Sequence, residues 1–445
     1  MMSIRNGLWL VFGVAIAVAV WLRLGSAFAE FPSGDGGLFW VMANDLSHNG
    51  FVPPTFTTYN TGDIPWVYPP LGLYLVAALG GGLEWFRILP ALFAIATLPA
   101  VWLLARALIS DRGAMVAVLA YGLASPAYLG LIAGGGVTRG PGLLLAVLTL
   151  WAVVRRYPMA AGVLAGLTLL AHPIAAAYVV FGSAALWVTR GADRRMLWSP
   201  LVAIAIGAVW FVPMIARHGL DPFLAGLGSR DIDIIDNAIL LLAETINPPN
   251  FAFVLGFVGA AIAVQRRRWD LVAWLVVSAF GAAVVDRWVA IPLAVLAGLA
   301  VEAALTQPAR LRSVTAVAVA AVTAVTGVLL SGGPDTVTEE QREIMERAAT
   351  ETPEDATFAV LGYPTDRGMV EWFPAIAQRD NITTWQGSEW VPSGGDRRRI
   401  ASEAAGCRSA ECLPEVDYYV LRPDCCVEIE SRLTMTRTGI WEPSR

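Results

Sequence analysis

The sequence contains no lysine; all 31 of its basic residues are arginine. That bias fits a GC-rich genome and carries no mechanism by itself. Charge of either sign is scarce, at 15% of residues against 56% hydrophobic, whereas a soluble domain carries roughly 25% charged and 45–50% apolar residues. The scarcity excludes an ordinary soluble protein. A mean hydropathy of +0.59 and repeated long apolar runs identify a polytopic membrane protein. Net charge is −5, with no basic stripe, which excludes nucleic acid as a partner. Cysteine is absent until Cys407; Cys412, Cys425 and Cys426 complete the set of four. Two disulfides in an oxidising compartment are expected, with three pairings open and a bridge between the adjacent Cys425 and Cys426 the least favoured. As a metal site, the C-x4-C-x12-C-C spacing fits no zinc pattern.

A membrane span needs about 20 apolar residues. Candidates lie at 7–25, 86–108, 113–132, 140–154, 158–173, 174–189, 196–214, 249–265, 270–285, 288–306 and 313–331, eleven in all. The N-terminus has the look of a signal peptide, with Arg5, an apolar core from Leu8 to Leu22 and a cleavage-like Ala27-Phe28-Ala29. Arg23 interrupts the approach to that site, and the segment is read as a retained first span. "YPPLGLYLVAALGGG" (Tyr68–Gly82) is apolar but short, and is read as an outer interfacial segment. Arginines cluster in alternate loops: Arg5, Arg106 and Arg112, Arg155 and Arg156, Arg190 to Arg195, Arg266 to Arg268, Arg310 and Arg312. The intervening loops hold only the single arginines Arg23, Arg87, Arg139, Arg217, Arg230 and Arg287. The positive-inside rule makes the first set cytoplasmic. The N-terminus is then inside and everything after Ser331 outside, where the cysteines meet an oxidising compartment.

The fold class expected is therefore an α-helical multi-pass membrane protein of the cell membrane with a small C-terminal extracytoplasmic α/β domain. Residues 1–331 form the membrane domain, with outer loops at 26–85 and 215–248; residues 332–445 form the outer domain. The latter opens on a polar helix near Thr338–Thr350, where Thr338 and Gln341 make a capping box. "TFAVLGYP" and "VDYYVLRP" read as strands.

One stretch of the first outer loop carries chemistry. From Gly36 to Asn49, Leu38, Phe39, Met42 and Leu46 recur every three or four residues, which predicts an amphipathic helix on the outer membrane face, closed by Gly50. Asp35 falls at its N-cap. A capping aspartate contributes about 1 kcal/mol, yet Ser33 could cap without placing a charge against the bilayer. The alternative is that Asp35 is a general base.

Asp35 before a juxtamembrane helix, the exit Gly50-Phe51-Val52-Pro53-Pro54, and Tyr68-Pro69-Pro70-Leu71 together resemble the GT-C glycosyltransferase superfamily, which includes aminoarabinose transferases and protein O-mannosyltransferases. "FRILPALFAIATLPAVWLLARAL" (Phe86–Leu108) also looks like that superfamily's second span. The resemblance covers about the first 190 residues. It implies an inverting transfer of a sugar from a polyprenyl-phosphate donor to an extracytoplasmic glycan, lipid or protein acceptor, with membrane lipids around the enzyme. It also implies that Asp35 takes the proton from the attacking hydroxyl. The chain departs from the pattern twice. Many relatives carry a second acid at the outer start of the fourth span, where this chain reads "GGGVTRGPG", and the aminoarabinose transferases have lysine where this chain has Tyr68. Cofactor need is thus not fixed by the resemblance: no metal ligands are assigned, and a divalent metal is left open.

The departing phosphate requires cationic or N–H donors. Arg87, Arg139, His172 and Tyr68 are the candidates. For the two arginines the bland alternative is snorkelling to headgroups; for His172 it is satisfying carbonyls freed by Pro173. In the second outer loop Glu244 could supply the missing acid, and Arg217 could contact the acceptor. "DIDIID" (Asp231–Asp236) lacks the glycine turn of an EF-hand and reads as an amphipathic edge. Asp286 and Arg287 read as a self-neutralising pair. Trp372, Phe373, Trp385 and Trp390 offer faces for sugar stacking or for core packing, and Asn381-Ile382-Thr383 is a glycosylation sequon. Two other classes compete: a transporter or flippase, which internal repeats and midplane charges would mark and which this sequence lacks, and a silent scaffold with a glycan-binding outer domain.

Overall fold

The structure is a computed structural model, and it describes residues 4–443 apart from 61–62, 229–250, 281–284, 306–335, 364–366, 392–393, 406, 408, 423–432 and 438. Its helices are α1 (Ile4–Leu24), α2 (Gly37–His48), α3 (Leu71–Ala78), α4 (Trp85–Leu108), α5 (Asp111–Leu123), α6 (Leu129–Ile132), α7 (Gly136–Val154), α8 (Pro158–Ala171) and α9 (Pro173–Thr189). After these come α10 (Trp198–His218), α11 (Asp221–Gly228), α12 (Phe251–Gln265), α13 (Trp269–Phe280) and α14 (Val285–Leu305). The C-terminal part holds α15 (Glu339–Glu351), β1 (Thr357–Leu361), α16 (Arg367–Ala377), β2 (Asp380–Asn381), α17 (Gly394–Ala405), β3 (Tyr418–Leu421), β4 (Leu433–Arg437) and β5 (Ile440–Pro443).

Among the described residues, four helices are long and apolar enough to cross a membrane: 85–108, 136–154, 194–218 and 287–305. Shorter apolar helices at 12–28, 158–171, 173–189, 253–265 and 269–279 accompany them. The segment read as a span at 113–132 is not continuous. α5 stops at Leu123, and a 3₁₀ turn at Ser125–Ala127 separates it from α6. Pro126 explains the break, because it lacks an N–H and disfavours helix in the residue before it. The candidate at 313–331 lies outside the described residues. α14 sits at the centre of the bundle, 83% of its apolar window buried, whereas α10 lies at the edge with 17% buried and turns Ile204, Val209 and Val212 outward.

Arg23, grouped above with the outer-loop arginines, is wholly buried. Its Nη1 donates to the carbonyls of Ala19 (2.8 Å) and Gly122 (2.6 Å), and the guanidinium lies 4.6 Å from the Tyr128 ring centroid. The cation thus satisfies a terminal carbonyl of α5, which the helix's own ladder leaves without a partner.

The expected helix in the first loop is present as α2, and Gly50 follows it with φ +61°. Its surroundings differ from expectation. Leu38, Met42 and Leu46 are almost fully buried, in one core with Trp66, Val76, Met345, Phe358 and Trp372. The apolar stripe faces the C-terminal domain rather than lipid, because that domain supplies a larger apolar partner than a membrane interface does. α3 has only eight residues, about 12 Å of helix, too short to span. Its Gly72 lies so close to α7 that a Cβ would stand 2.1 Å from the Val137 carbonyl oxygen.

The C-terminal sheet has the order β2-β1-β3-β5-β4. β1 runs parallel to β2 and β3, and β5 is antiparallel to β3 and β4. Alternation sets its two faces: Phe358, Val360 and Val420 join the core shared with the first loop, while Ala359, Leu361, Tyr419 and Leu421 form a second core with Cys407. The capping box expected at Thr338 and Gln341 opens α15. Cys407 is bonded to Cys412; Cys425 and Cys426, whose mutual bridge was the least favoured, lie outside the described residues.

Candidate active site

Asp35 sits where three parts of the chain meet. The carbonyl of Ser33 accepts from the Gly134 N–H (2.7 Å), tying the first loop to the glycine-rich turn before α7. The carbonyl of Gly34 accepts from Trp372 Nε1 (2.9 Å), tying the same loop to α16 of the C-terminal domain. Two hydrogen bonds thus fix the backbone just before Asp35, one from the head of α7 and one from the C-terminal domain. Glycine permits the approach: a Cβ at Gly36 would lie 2.5 Å from the Trp372 ring, and one at Gly37 would lie 2.2 Å from the Glu371 carbonyl oxygen.

The carboxylate itself is not a helix cap. Gly36 is the N-cap of α2 and makes no side-chain cap bond. Both oxygens of Asp35 instead accept from Arg139, Oδ2 from Nη1 at 3.0 Å and Oδ1 from Nη2 at 2.5 Å. Arg139 lies in the first turn of α7, 104 residues away. The planar fork of the guanidinium matches the carboxylate, which makes this the strong, geometrically specific form of ion pair. The pair is partly open, with side-chain exposures of 18% for Arg139 and 32% for Asp35. Gly135 leaves room for it: a Cβ there would stand 2.5 Å from Arg139 Nη2 and 2.9 Å from Asp35 Oδ1.

Tyr68 is buried beside this pair. Its hydroxyl lies 3.4 Å from Thr138 Oγ1, and its ring packs against Phe39 and Trp390. Burial pushes the phenol up to about 12; the Thr138 hydrogen bond and the Arg139 charge oppose this, while the Glu389 and Asp35 charges add to it. Tyr68 is therefore a neutral donor across the physiological range. Tyr59 donates to the Glu371 carbonyl at 2.6 Å. Its phenol is raised well above the ordinary value, chiefly by burial and next by Glu371.

The other sequence candidates make contacts of their own. Arg87 Nη1 donates to the carbonyl of Ala29, fastening the start of α4 to the turn after α1. His172 is 7% exposed and caps α9, its Nδ1 accepting from the Ala175 N–H at 3.4 Å. This nitrogen satisfies an amide at the helix start rather than carbonyls freed by Pro173. Arg217 Nη1 donates to the Pro53 carbonyl at 2.8 Å, which joins the end of α10 to the first loop. Glu244 and Asp231–Asp236 lie outside the described residues, as does the side chain of Asp286. Arg287 reaches the Gly130 carbonyl at 3.4 Å.

Trp372 and Phe373 are fully buried and Trp390 nearly so, so these rings pack the core and are closed to sugar stacking. Trp385 alone of the four is exposed, at 37%. The sequon is buried too: Asn381 is 0% exposed, and its Nδ2 donates to the Val370 carbonyl and to Thr384. It cannot serve as a glycosylation acceptor in the folded chain.

Sequence reasoning missed the part played by Trp372, the room left by Gly135, and Tyr59 with Glu371. The triplet Gly134-Gly135-Gly136 was the available signal. Among the described residues no three histidine, cysteine or acidic side chains gather as metal ligands.

The architecture is shared with solved membrane glycosyltransferases. The oligosaccharyltransferase AglB of Archaeoglobus fulgidus, in complex with an inhibitory peptide and a dolichol-phosphate, aligns over 100% of this chain and 75% of its own, with TM-score 0.63 and 14% identity. The same archaeal enzyme in complex with zinc and sulfate aligns over 98% and 73%, with TM-score 0.58 and 14% identity. ArnT of Cupriavidus metallidurans, bound to undecaprenyl phosphate, aligns over 97% of both chains, with TM-score 0.62 and 15% identity. Both proteins belong to the GT-C superfamily, and the chain has the GT-C fold. No protein-family model matches the sequence, and no curated protein matches it.

Proposed function

We propose that this protein is an inverting glycosyltransferase that moves a sugar from a polyprenyl-phosphate carrier to an acceptor on the extracytoplasmic side. The observation that carries the reading is the Asp35–Arg139 pair, set at the junction of the first loop, the head of α7 and the C-terminal domain. Support also comes from the fold, since the ArnT structure holds undecaprenyl phosphate and one AglB structure holds dolichol-phosphate. The arginine distribution supports a cytoplasmic N-terminus, and the Cys407–Cys412 bridge supports an oxidising environment for the outer domain.

In this mechanism the acceptor hydroxyl attacks the anomeric carbon, and its proton passes to Asp35. The bond from that carbon to the phosphate oxygen breaks, and the phosphate leaves with the electron pair, inverting the centre. Arg139 supplies a two-pronged cationic donor for the departing oxygens. The neutral Tyr68 hydroxyl is placed to add a third. Arg87 and His172 act on this site through the backbone they fasten, holding the α1–α4 and α8–α9 junctions. The reading routes no step through a metal.

The test is transfer of labelled sugar from a polyprenyl-phosphate donor by the purified full-length protein, wild type against Asp35→Asn. Turnover by wild type that drops by at least about 100-fold in the variant is expected. Equal turnover by the variant removes Asp35 from the mechanism. No turnover by wild type with any such donor points to the scaffold reading.

A further inference from the structure

Asp35 and Arg139 present a conflict within the reading above. A general base must offer an oxygen lone pair to the acceptor hydroxyl, and a phosphate-binding arginine must offer N–H groups to the donor. Here each group is occupied by the other: both carboxylate oxygens accept from the two terminal guanidinium nitrogens, at 3.0 and 2.5 Å. The geometry is enforced from outside the pair. The backbone just before Asp35 is fixed by Gly134 and Trp372, and Gly135 clears the space in which the two side chains meet. The pair is nonetheless reachable, with Asp35 about a third exposed at 32%.

We infer that Arg139 is a donor-released latch on Asp35. In the free protein the guanidinium fork holds the carboxylate closed. A lipid phosphate competes for that same fork, because phosphate oxygens match it as carboxylate oxygens do. When the phosphate takes Arg139, the Asp35 oxygens lose the guanidinium and turn to the acceptor. The base is thereby released from the guanidinium only when a donor is seated, which orders binding before chemistry. This inference rests on the proposed transfer reaction and deepens it by assigning how the site is regulated.

A latch of this kind makes Asp35 a competitor of the donor, since only the fraction of protein with Arg139 released is competent to bind. The experiment measures binding of undecaprenyl phosphate to full-length protein in nanodiscs, for wild type, Asp35→Asn, Arg139→Gln and the double variant. The Asp35→Asn protein should bind about three- to tenfold more tightly than wild type, although it transfers no sugar. The gain should vanish in the Arg139→Gln background. Unchanged or weaker binding by Asp35→Asn overturns the latch, and so does a gain that persists without Arg139, which would reflect simple repulsion between carboxylate and phosphate. A second measurement needs no variant: carbodiimide labelling of Asp35 in the wild type, read by mass spectrometry, should rise when undecaprenyl phosphate is added. Labelling that stays level or falls counts against the latch. A wild type that does not bind the lipid phosphate at all removes the transfer reading itself, whereas binding without the Asp35 effects removes the latch alone.

Discussion

Asp35 and Asp270 are both carboxylates held by arginine, and the difference between them separates the proposed base from a fastening. Asp270, at the head of α13, accepts from Arg190 at 2.8 Å and from two nitrogens of Arg268 at 3.0 Å. Arg268 also donates to the Leu108 carbonyl at 2.8 Å, so this cluster joins α4, α9 and α13. Asp270 is 8% exposed and has two cations to itself. Asp35 is four times as exposed, at 32%, and is held in the fork of Arg139. Surplus cations and burial make an ion cluster that nothing need ever open. A fork pair at an accessible edge can exchange partners. The same chemistry, at two ends of the fold, serves two purposes.

The comparison is broken most sharply by exchanging the two outcomes. Asp35→Asn should lower transfer by at least about 100-fold with little change in melting temperature, because its neighbours are already fixed by backbone hydrogen bonds. Asp270→Asn should do the reverse, costing about 1–3 kcal/mol of stability by leaving arginines under-partnered, with turnover per folded molecule retained. If thermal denaturation in detergent shows Asp35→Asn to be the less stable of the two, the distinction fails. A smaller effect sharpens it. Trp372→Phe keeps a buried ring but loses the bond to the Gly34 carbonyl, worth about 1 kcal/mol; transfer should fall more than stability does, because the loop bearing the acid loosens.

The smallest expected effect concerns Tyr68. Its folded value is raised to about 12 from an ordinary 10.0, so the unfolded chain loses this proton first. The stabilisation is complete below pH 10 and is lost as pH rises toward 12. Wild type should therefore lose melting temperature over that window more steeply than Tyr68→Phe. Parallel curves for the two proteins would show that the phenol is not shielded as described.

Periodicity made much of the helical fold legible. Leu38, Met42 and Leu46 announce α2, and the apolar runs from Trp85 to Leu108 and from Gly136 to Val154 announce α4 and α7. What covers a stripe was not legible, since one spacing serves lipid and protein alike; only the tertiary fold shows α2 under the C-terminal domain. Pro126 was a readable sign that 113–132 would not run as one helix. The candidate site was legible as residue types and not as a pairing. Asp35 and Arg139 were each singled out, but nothing local joins positions 104 apart. Asn381 shows the converse, a sequence motif whose meaning is cancelled by burial. Cys407 and Cys412 pair because the 3₁₀ turn at Ala410–Cys412 brings their Cα atoms to 5.5 Å, one of the pairings that spacing left open.

The hydrogen bond from Trp372 to Gly34, with the core that surrounds it, has a practical corollary for anyone wishing to dissect the molecule. Severing the chain after Ser331 would not yield a tidy anchor and a tidy ectodomain. The released piece would carry a greasy underside with Trp372 and Phe358 laid bare, and the anchor would keep its acid but lose the roof that aims it. Activity restored by mixing the two fragments, and by neither alone, would be the signature of that interdependence.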